Sequence, residues 1–166
     1  MSREIKTYPD PILKKKAEKI ELITPKIKDL AQDMIELMYS HQGIGLAAPQ
    51  VGESLCLITI DVSGPELRQD LQVLINPEII AAEGETEYEE GCLSLPEFKT
   101  KVKRCEEVVV RGQDLEGRKK DIQASGLQAI CLQHEIDHLA GTVLLDHAGR
   151  LKRNFYLKKA KKWEKN

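Results

Sequence analysis

Apolar residues recur at helical spacing from Ile27 through Leu30, Ala31 and Met34 to Leu37 and Met38, a stripe that predicts an amphipathic helix. Thr24 stands at its N-cap, Pro25 in its first turn and Gly43 at its stop. The period then shortens. Leu55 to Val62 is a β-rich run expected as a buried strand, and Val73 to Ile80 is another, interrupted by Asn76-Pro77. Thr86 to Glu90 and Thr100 to Arg104 read as shorter, partly exposed strands. Glu107 to Gln113 and Lys119 to Ala124 flank the turn signal Asp114-Leu115-Glu116-Gly117 and read as a hairpin. Helical spacing returns from Gly126 to Ala140, stopped by Gly141, and again from about Ala148 to Trp163. This order excludes an alternating βαβ fold. It predicts an α+β domain with antiparallel or mixed β-sheets packed around a central buried helix, and a C-terminal helix.

The segment 126–140 is the central helix because it is apolar nearly all round. At about 100° per residue, Ala129, Leu132, Ile136, Leu139 and Ala140 share one face, while Leu127, Ile130, Cys131, His134, Glu135 and His138 fall on the other. Only Gln128, Gln133 and Asp137 remain as polar surface, the pattern of a buried helix. Two histidines and a glutamate are thus placed inside the protein, at a cost unless they are paired or bind a cation.

His134-Glu135-Ile136-Asp137-His138 reads HExxH. Histidines at i and i+4 can share one metal ion, and the intervening glutamate can take a proton from a water on that ion. A catalytic site of this kind needs a third protein ligand. In the pattern HExxHxxGxxH, Gly141 matches but Leu144 stands where the last histidine would be. Glu164, the only later glutamate, sits in a basic tail, and His147 and Asp146 are weak candidates. Cys131, on the same helical face as His134, and Cys92, which follows Gly91 in another segment, both remain open. Cys131 also suits a pocket or core lining, whereas Cys56 in a buried strand and Cys105 in a surface strand are expected to be inert.

Gly43-Ile44-Gly45-Leu46-Ala47-Ala48-Pro49-Gln50 lacks the spacing of a phosphate loop and follows a helix rather than a strand. On its own it reads as a helix stop and tight connection. Its small residues also permit close backbone approach by a ligand or another strand, and the Gln50 amide could donate to an oxyanion.

Composition narrows the class. With 166 residues, 41% hydrophobic and 31% charged, the chain is expected to be one catalytic domain, 1–166, with one core. No apolar run approaches the ~20 residues of a membrane span. Met1-Ser2-Arg3-Glu4-Ile5-Lys6 has no apolar core, so neither membrane association nor an export signal is expected. The four cysteines include no CxxC pair, which suggests free thiols or metal ligands in a reducing compartment, hence a cytoplasmic protein. The net charge of −2 conceals an asymmetry: Arg150 to Asn166 carries eight basic residues and one acid, net +7, against −9 elsewhere.

Three segments stand together: GIGLAAPQ at 43–50, EGCLS at 90–94 and QHEIDH at 133–138. In this order they resemble the signature motifs of the peptide deformylases, with the spacing of the bacterial type, and Pro9 to Leu13 is similar to the family's N-terminal segment. The resemblance implies hydrolytic removal of the formyl group from N-formylmethionyl peptides, with release of formate. It implies Cys92, His134 and His138 as metal ligands and Glu135 as general base and acid. Gln50 and the Leu93 N–H would form the oxyanion hole, and Gly45 would offer backbone hydrogen bonds. Ile44, Leu127, Ile130 and Cys131 would line the methionine pocket. The implied metal is Fe²⁺, with Zn²⁺, Ni²⁺ or Co²⁺ as substitutes; ligand type alone suggests Zn²⁺. Lys99 departs from the arginine of many bacterial members, keeping the charge but losing the planar fork, with modest effects expected on peptide preference. For an enzyme acting on nascent chains, the basic helix 148–166 is a candidate for docking on the anionic ribosome rather than for sequence-specific nucleic-acid binding. The competing readings are a general HExxH peptidase and a binding module built round a structural metal.

Overall fold

The computed structural model describes residues 3–164. A short 3₁₀ turn, Pro11–Lys14, starts the chain, with Asp10 Oδ1 accepting the Ile12 N–H at 3.0 Å. Helix α1 (Pro25–Ser40) is capped by Thr24 as its sequence requires, and leads into β1 (Gly45–Ala47) and a 3₁₀ turn, Ala48–Val51. Then come β2 (Leu57–Ile60), a one-turn α2 (Gly64–Leu67), β3 (Gln72–Glu83), β4 (Thr86–Cys92), β5 (Leu95–Arg104), β6 (Glu107–Gln113) and β7 (Lys119–Ser125). Helix α3 (Gly126–Leu139), a 3₁₀ turn (Leu144–His147) and α4 (Arg150–Glu164) complete the order. Lys165 and Asn166 of the basic tail, and the side chain of Glu164, lie outside the described residues.

The strands form a five-stranded sheet, β1-β2-β3-β6-β7, and a separate β4-β5 hairpin. Every strand pair is antiparallel. The larger sheet lies between α3 and α1. Ile58, Ile60, Leu74, Val108 and Val110 meet Ala129, Leu132 and Leu139 of α3 on one face. Leu57 and Ile75 meet Leu30, Met34 and Met38 of α1 on the other. This two-sided burial is why all four residues of β2 are buried and its sequence shows none of the apolar–polar alternation of a one-faced strand. A third cluster packs Tyr156 and Ala160 of α4 against Leu95, Phe98 and Val102 of β5. The α+β architecture, with a buried HExxH helix and a C-terminal helix, is as the sequence predicts.

Four local expectations are corrected. β5 begins at Leu95, not Thr100, and buries Phe98, Thr100, Val102 and Arg104 in alternation. Its outer face carries Lys101 and Lys103 opposite Glu89 and Glu87 of β4, a charge ladder that masks the apolar period. β3 passes beyond the Asn76-Pro77 break to Glu83. Asn76 takes φ 52° at a register shift, and its amide pairs with the backbone of Ile20, donating at 2.8 Å and accepting at 2.9 Å. The segment after Gly43 is not just a connection, since Gly45–Ala47 is an edge strand on β2. Cys56 sits just before β2, and Cys105 in the link between β5 and β6, rather than inside strands.

Candidate metal centre and catalytic cleft

Helix α3 carries His134, Glu135 and His138 on the side turned away from the sheet core. β4 delivers Cys92 to them. A register shift between Gly91 and Cys92 takes the pairing from Gly91↔Lys99 to Cys92↔Leu95, and such a bulge re-aims the side chain that follows. One ligand atom from each of Cys92, His134 and His138 lies within 4.8 Å of the others, and Cys92 Sγ is 3.3 Å from His138 Nε2. The other possible third ligands are engaged elsewhere. The Cys131 thiol faces the Ile44 carbonyl at 3.5 Å, and burial pushes its pKa well up, so it stays protonated. His147 Nε2 is 2.9 Å from Asp137 Oδ2, and Asp146 pairs with Lys14 at 2.5 Å.

A network that sequence reading missed orients the histidines. His134 Nδ1 donates to Glu90 Oε1 at 2.9 Å, which leaves Nε2 for the cluster. Arg104 reaches both Glu90 oxygens at 2.8 Å and Asp137 at 2.6 Å. Glu90 and Asp137 stand inside recognised motifs, but Arg104 carried no local signal. Gln133, expected on the polar surface of the helix, is instead buried. Its amide bonds both the N–H and the carbonyl of Cys105 at 2.9 Å, fastening α3 to the β5–β6 link.

Glu135 is 4% exposed, and its Oε1 has no hydrogen-bond partner among the described residues. Burial pushes its pKa up to about 7; Glu90 and Asp137 add to the shift while His134 and Arg104 oppose it. Burial opposes charge on both histidines. For His138 it combines with His134 and Arg104 to hold the pKa well below the ordinary value. For His134 the surrounding Glu135, Cys92 and Glu90 outweigh burial and raise it. His138 Nδ1 is buried without a partner among the described residues.

Gly45 lies directly over this site. A Cβ there would fall 2.8 Å from Cys131 Sγ and 3.0 Å from Glu135 Cδ, so any side chain would force these groups to shift. Gln50, in the turn after β1, places Nε2 3.6 Å from Cys92 Sγ.

The family model for polypeptide deformylase matches residues 2–154. The chain belongs to the peptide deformylases. It is 55% identical over 158 residues to the peptide deformylase of Thermodesulfovibrio yellowstonii, covering 95% of this chain and 96% of that one. It superposes on the peptide deformylase crystal structure from Legionella pneumophila with a TM-score of 0.92 at 41% identity, covering 99% of this chain and 96% of that one. The Ehrlichia chaffeensis deformylase in complex with actinonin gives a TM-score of 0.92 at 37% identity, covering 100% of each chain.

In this deformylase a cleft of about 720 Å³ opens above the Cys/His/His cluster. Gly45, Gln50, Leu93, Cys92, His134 and Glu135 line its floor, and Ile44, Leu127, Ile130 and Cys131 form an apolar side. His138, 1% exposed, lies beneath rather than in it. Lys99 stands at the rim with Glu89 and Glu97. Among the described residues β1 pairs only with β2 and so is an edge strand, though its Ala47 N–H is already taken by Gln50 Oε1.

Proposed function

We propose that this cleft hydrolyses the formamide of N-formylmethionyl peptides, releasing formate and a free N-terminal amine. The observation that carries the reading is the juxtaposition of a buried glutamate with a Cys/His/His cluster, opposite an amide donor and beside an apolar pocket. Cys92, His134 and His138 fit a divalent ion: the three donors converge, and the His138 Nδ1 and Glu135 Oε1 atoms are buried without partners among the described residues. An ion held there supplies a Lewis acid and lowers the pKa of water to the neutral range. The metal is proposed as Fe²⁺ on the family resemblance; Zn²⁺, Ni²⁺ and Co²⁺ suit the same donors.

Glu135, titrating near neutrality in the metal-free protein, takes the proton of the attacking water and returns it to the leaving amine. Gln50 Nε2 and the Leu93 N–H face the negative charge that develops on the formyl oxygen. Gly45 offers backbone hydrogen bonds along the edge strand β1. The methionine side chain fills the pocket of Ile44, Leu127, Ile130 and Cys131. The first two core clusters both draw on β1, β2 and β3, and Arg104 of β5 ties the third to Asp137 of α3, which supports a single catalytic domain over 1–166.

Formate release from formyl-Met-Ala-Ser, with no cleavage of unblocked peptides, tests the reading; peptide-bond cleavage without formate overturns it. We infer cytoplasmic action on nascent chains and docking on the ribosome through α4. This helix leaves Leu151 86% and Phe155 65% exposed among its lysines. No helix among the described residues is long and apolar enough to cross a membrane. Tyr156 and Ala160 belong to the core, so deleting the tail would damage the fold. Charge reversal at Lys158, Lys159 and Lys162 is the cleaner test: weaker, less salt-sensitive ribosome binding with unchanged turnover of small peptides supports docking, and unchanged affinity overturns it.

A further inference from the structure

The side chain of Gln50 is held at both ends of its carboxamide. Oε1 accepts the Ala47 N–H at 2.9 Å, and Nε2 donates to Ser94 Oγ at 3.1 Å. A backbone N–H can only donate, so the first bond decides which end of the amide is oxygen and which is nitrogen. Gln50 is 2% exposed and Ser94 0%, so neither bond is shared with bulk water. The last torsion of a glutamine is broad and nearly two-fold, so its rotamer preference alone does not aim the NH₂ group. These two bonds aim it instead. One Nε2 hydrogen goes to Ser94, and the other is left toward Cys92 Sγ, 3.6 Å away, on the floor of the cleft.

The two partners come from distant parts of the chain, and the N-terminal segment ties them together. The Lys6 N–H donates to the Gln50 carbonyl at 2.6 Å, and two residues later the Tyr8 N–H donates to the Ser94 carbonyl at 2.8 Å. The loop bearing the amide donor and the loop bearing Cys92 are thus spaced by one short stretch of backbone.

We propose that Ser94 is a positioning residue for the oxyanion donor: its hydroxyl accepts one hydrogen of the Gln50 amide and thereby directs the other at the formyl oxygen. The proposal rests on the reading of Gln50 given above. Ser94 itself touches no reacting atom. Its contribution passes entirely through Gln50, which sets it apart from a residue that only stabilises the loop.

A double-mutant cycle with formyl-Met-Ala-Ser as substrate tests this. Removing an oxyanion donor typically costs about 10²–10³ in kcat, and loss of its alignment alone costs less. Ser94→Ala should therefore lower kcat about 10-fold, with KM within about two-fold and metal content unchanged. In a Gln50→Ala background the same substitution should have no further effect, because residues that act through one another are non-additive. The proposal is overturned if Ser94→Ala leaves kcat unchanged, if the two losses multiply, or if the loss tracks metal content. Full activity of Gln50→Ala alone overturns instead the role given to Gln50, and the Ser94 proposal with it.

Discussion

His134 Nδ1 donates to Glu90 Oε1 at 2.9 Å, and this bond decides which ring nitrogen faces the Cys92–His138 cluster. Arg104 grips both oxygens of the same carboxylate from behind. Carboxylate partners of this kind fix ligand tautomer and ring orientation, and their loss typically costs about 10–100-fold in metal affinity. Glu90→Gln should weaken metal retention by that factor, measured by chelator competition. Glu90→Ala should also destabilise the fold by about 3–5 kcal/mol, because it strips the buried Arg104 of its bidentate partner. Metal affinity equal to that of the parent in both variants would remove Glu90 from the site.

In the proposed reaction Glu135 transfers a proton and does not hold the ion. Glu135→Ala should lower turnover by about 10²–10⁴-fold while the protein retains its full metal content. Parallel assays of formate release and bound metal check this. Equal loss of both would make Glu135 part of the metal cradle instead.

A side chain at Gly45 would displace its neighbours. Since an added Cβ meets Cys131 Sγ at 2.8 Å and Glu135 Cδ at 3.0 Å, Gly45→Ala must push Glu135 off its position or open β1. The expected cost is about 1–3 kcal/mol of stability together with a fall in kcat. Thermal unfolding and steady-state kinetics on one preparation separate the two effects.

Away from the cleft, Asp61 is fully buried and accepts the Tyr39 hydroxyl at 2.5 Å and the Ser63 hydroxyl at 2.6 Å. Burial opposes its charge, but these bonds outweigh burial and hold the carboxyl below its ordinary range, while Tyr39 is pushed up to about 12 by burial and by Asp61. A depressed native pKa means that the unfolded chain takes up the proton more readily. The stabilisation is therefore complete above about pH 4, the unfolded carboxylate range. It is lost as the pH falls through the native value. Tyr39→Phe should cost about 1.5–3 kcal/mol at neutral pH and move the acid-unfolding midpoint upward. An unshifted midpoint would mean that Asp61 does not depend on Tyr39.

Several features of the site were legible because they are local. HExxH puts two histidines on one face by helical period alone, and the lack of a polar face shows that α3 is buried. Thr24 and Pro25 mark the start of α1, and the lack of alternation in β2 follows from burial on both sides. Other features left weak traces. β1 is only three residues, too short to show a period, and the lysines and glutamates of the β4–β5 hairpin obscure the apolar alternation of β5. The choice between Cys92 and Cys131 is the clearest divide. Both suit the helix-based pattern, but the bulge at Gly91 sends Cys92 toward the histidines, whereas Cys131 bonds the Ile44 carbonyl.

The sequence by itself determined the element types, the buried helix and the residue types of the chemistry, since these follow from spacing within a few turns of chain. The tertiary structure decided which cysteine joins the histidines, how Glu90 and Arg104 orient them, and how Ala47 and Ser94 clamp Gln50. Each of these joins groups brought close by sheet pairing or by the fold's long-range contacts. Local propensity carries no record of such contacts, because their free energy exists only once the intervening chain has folded.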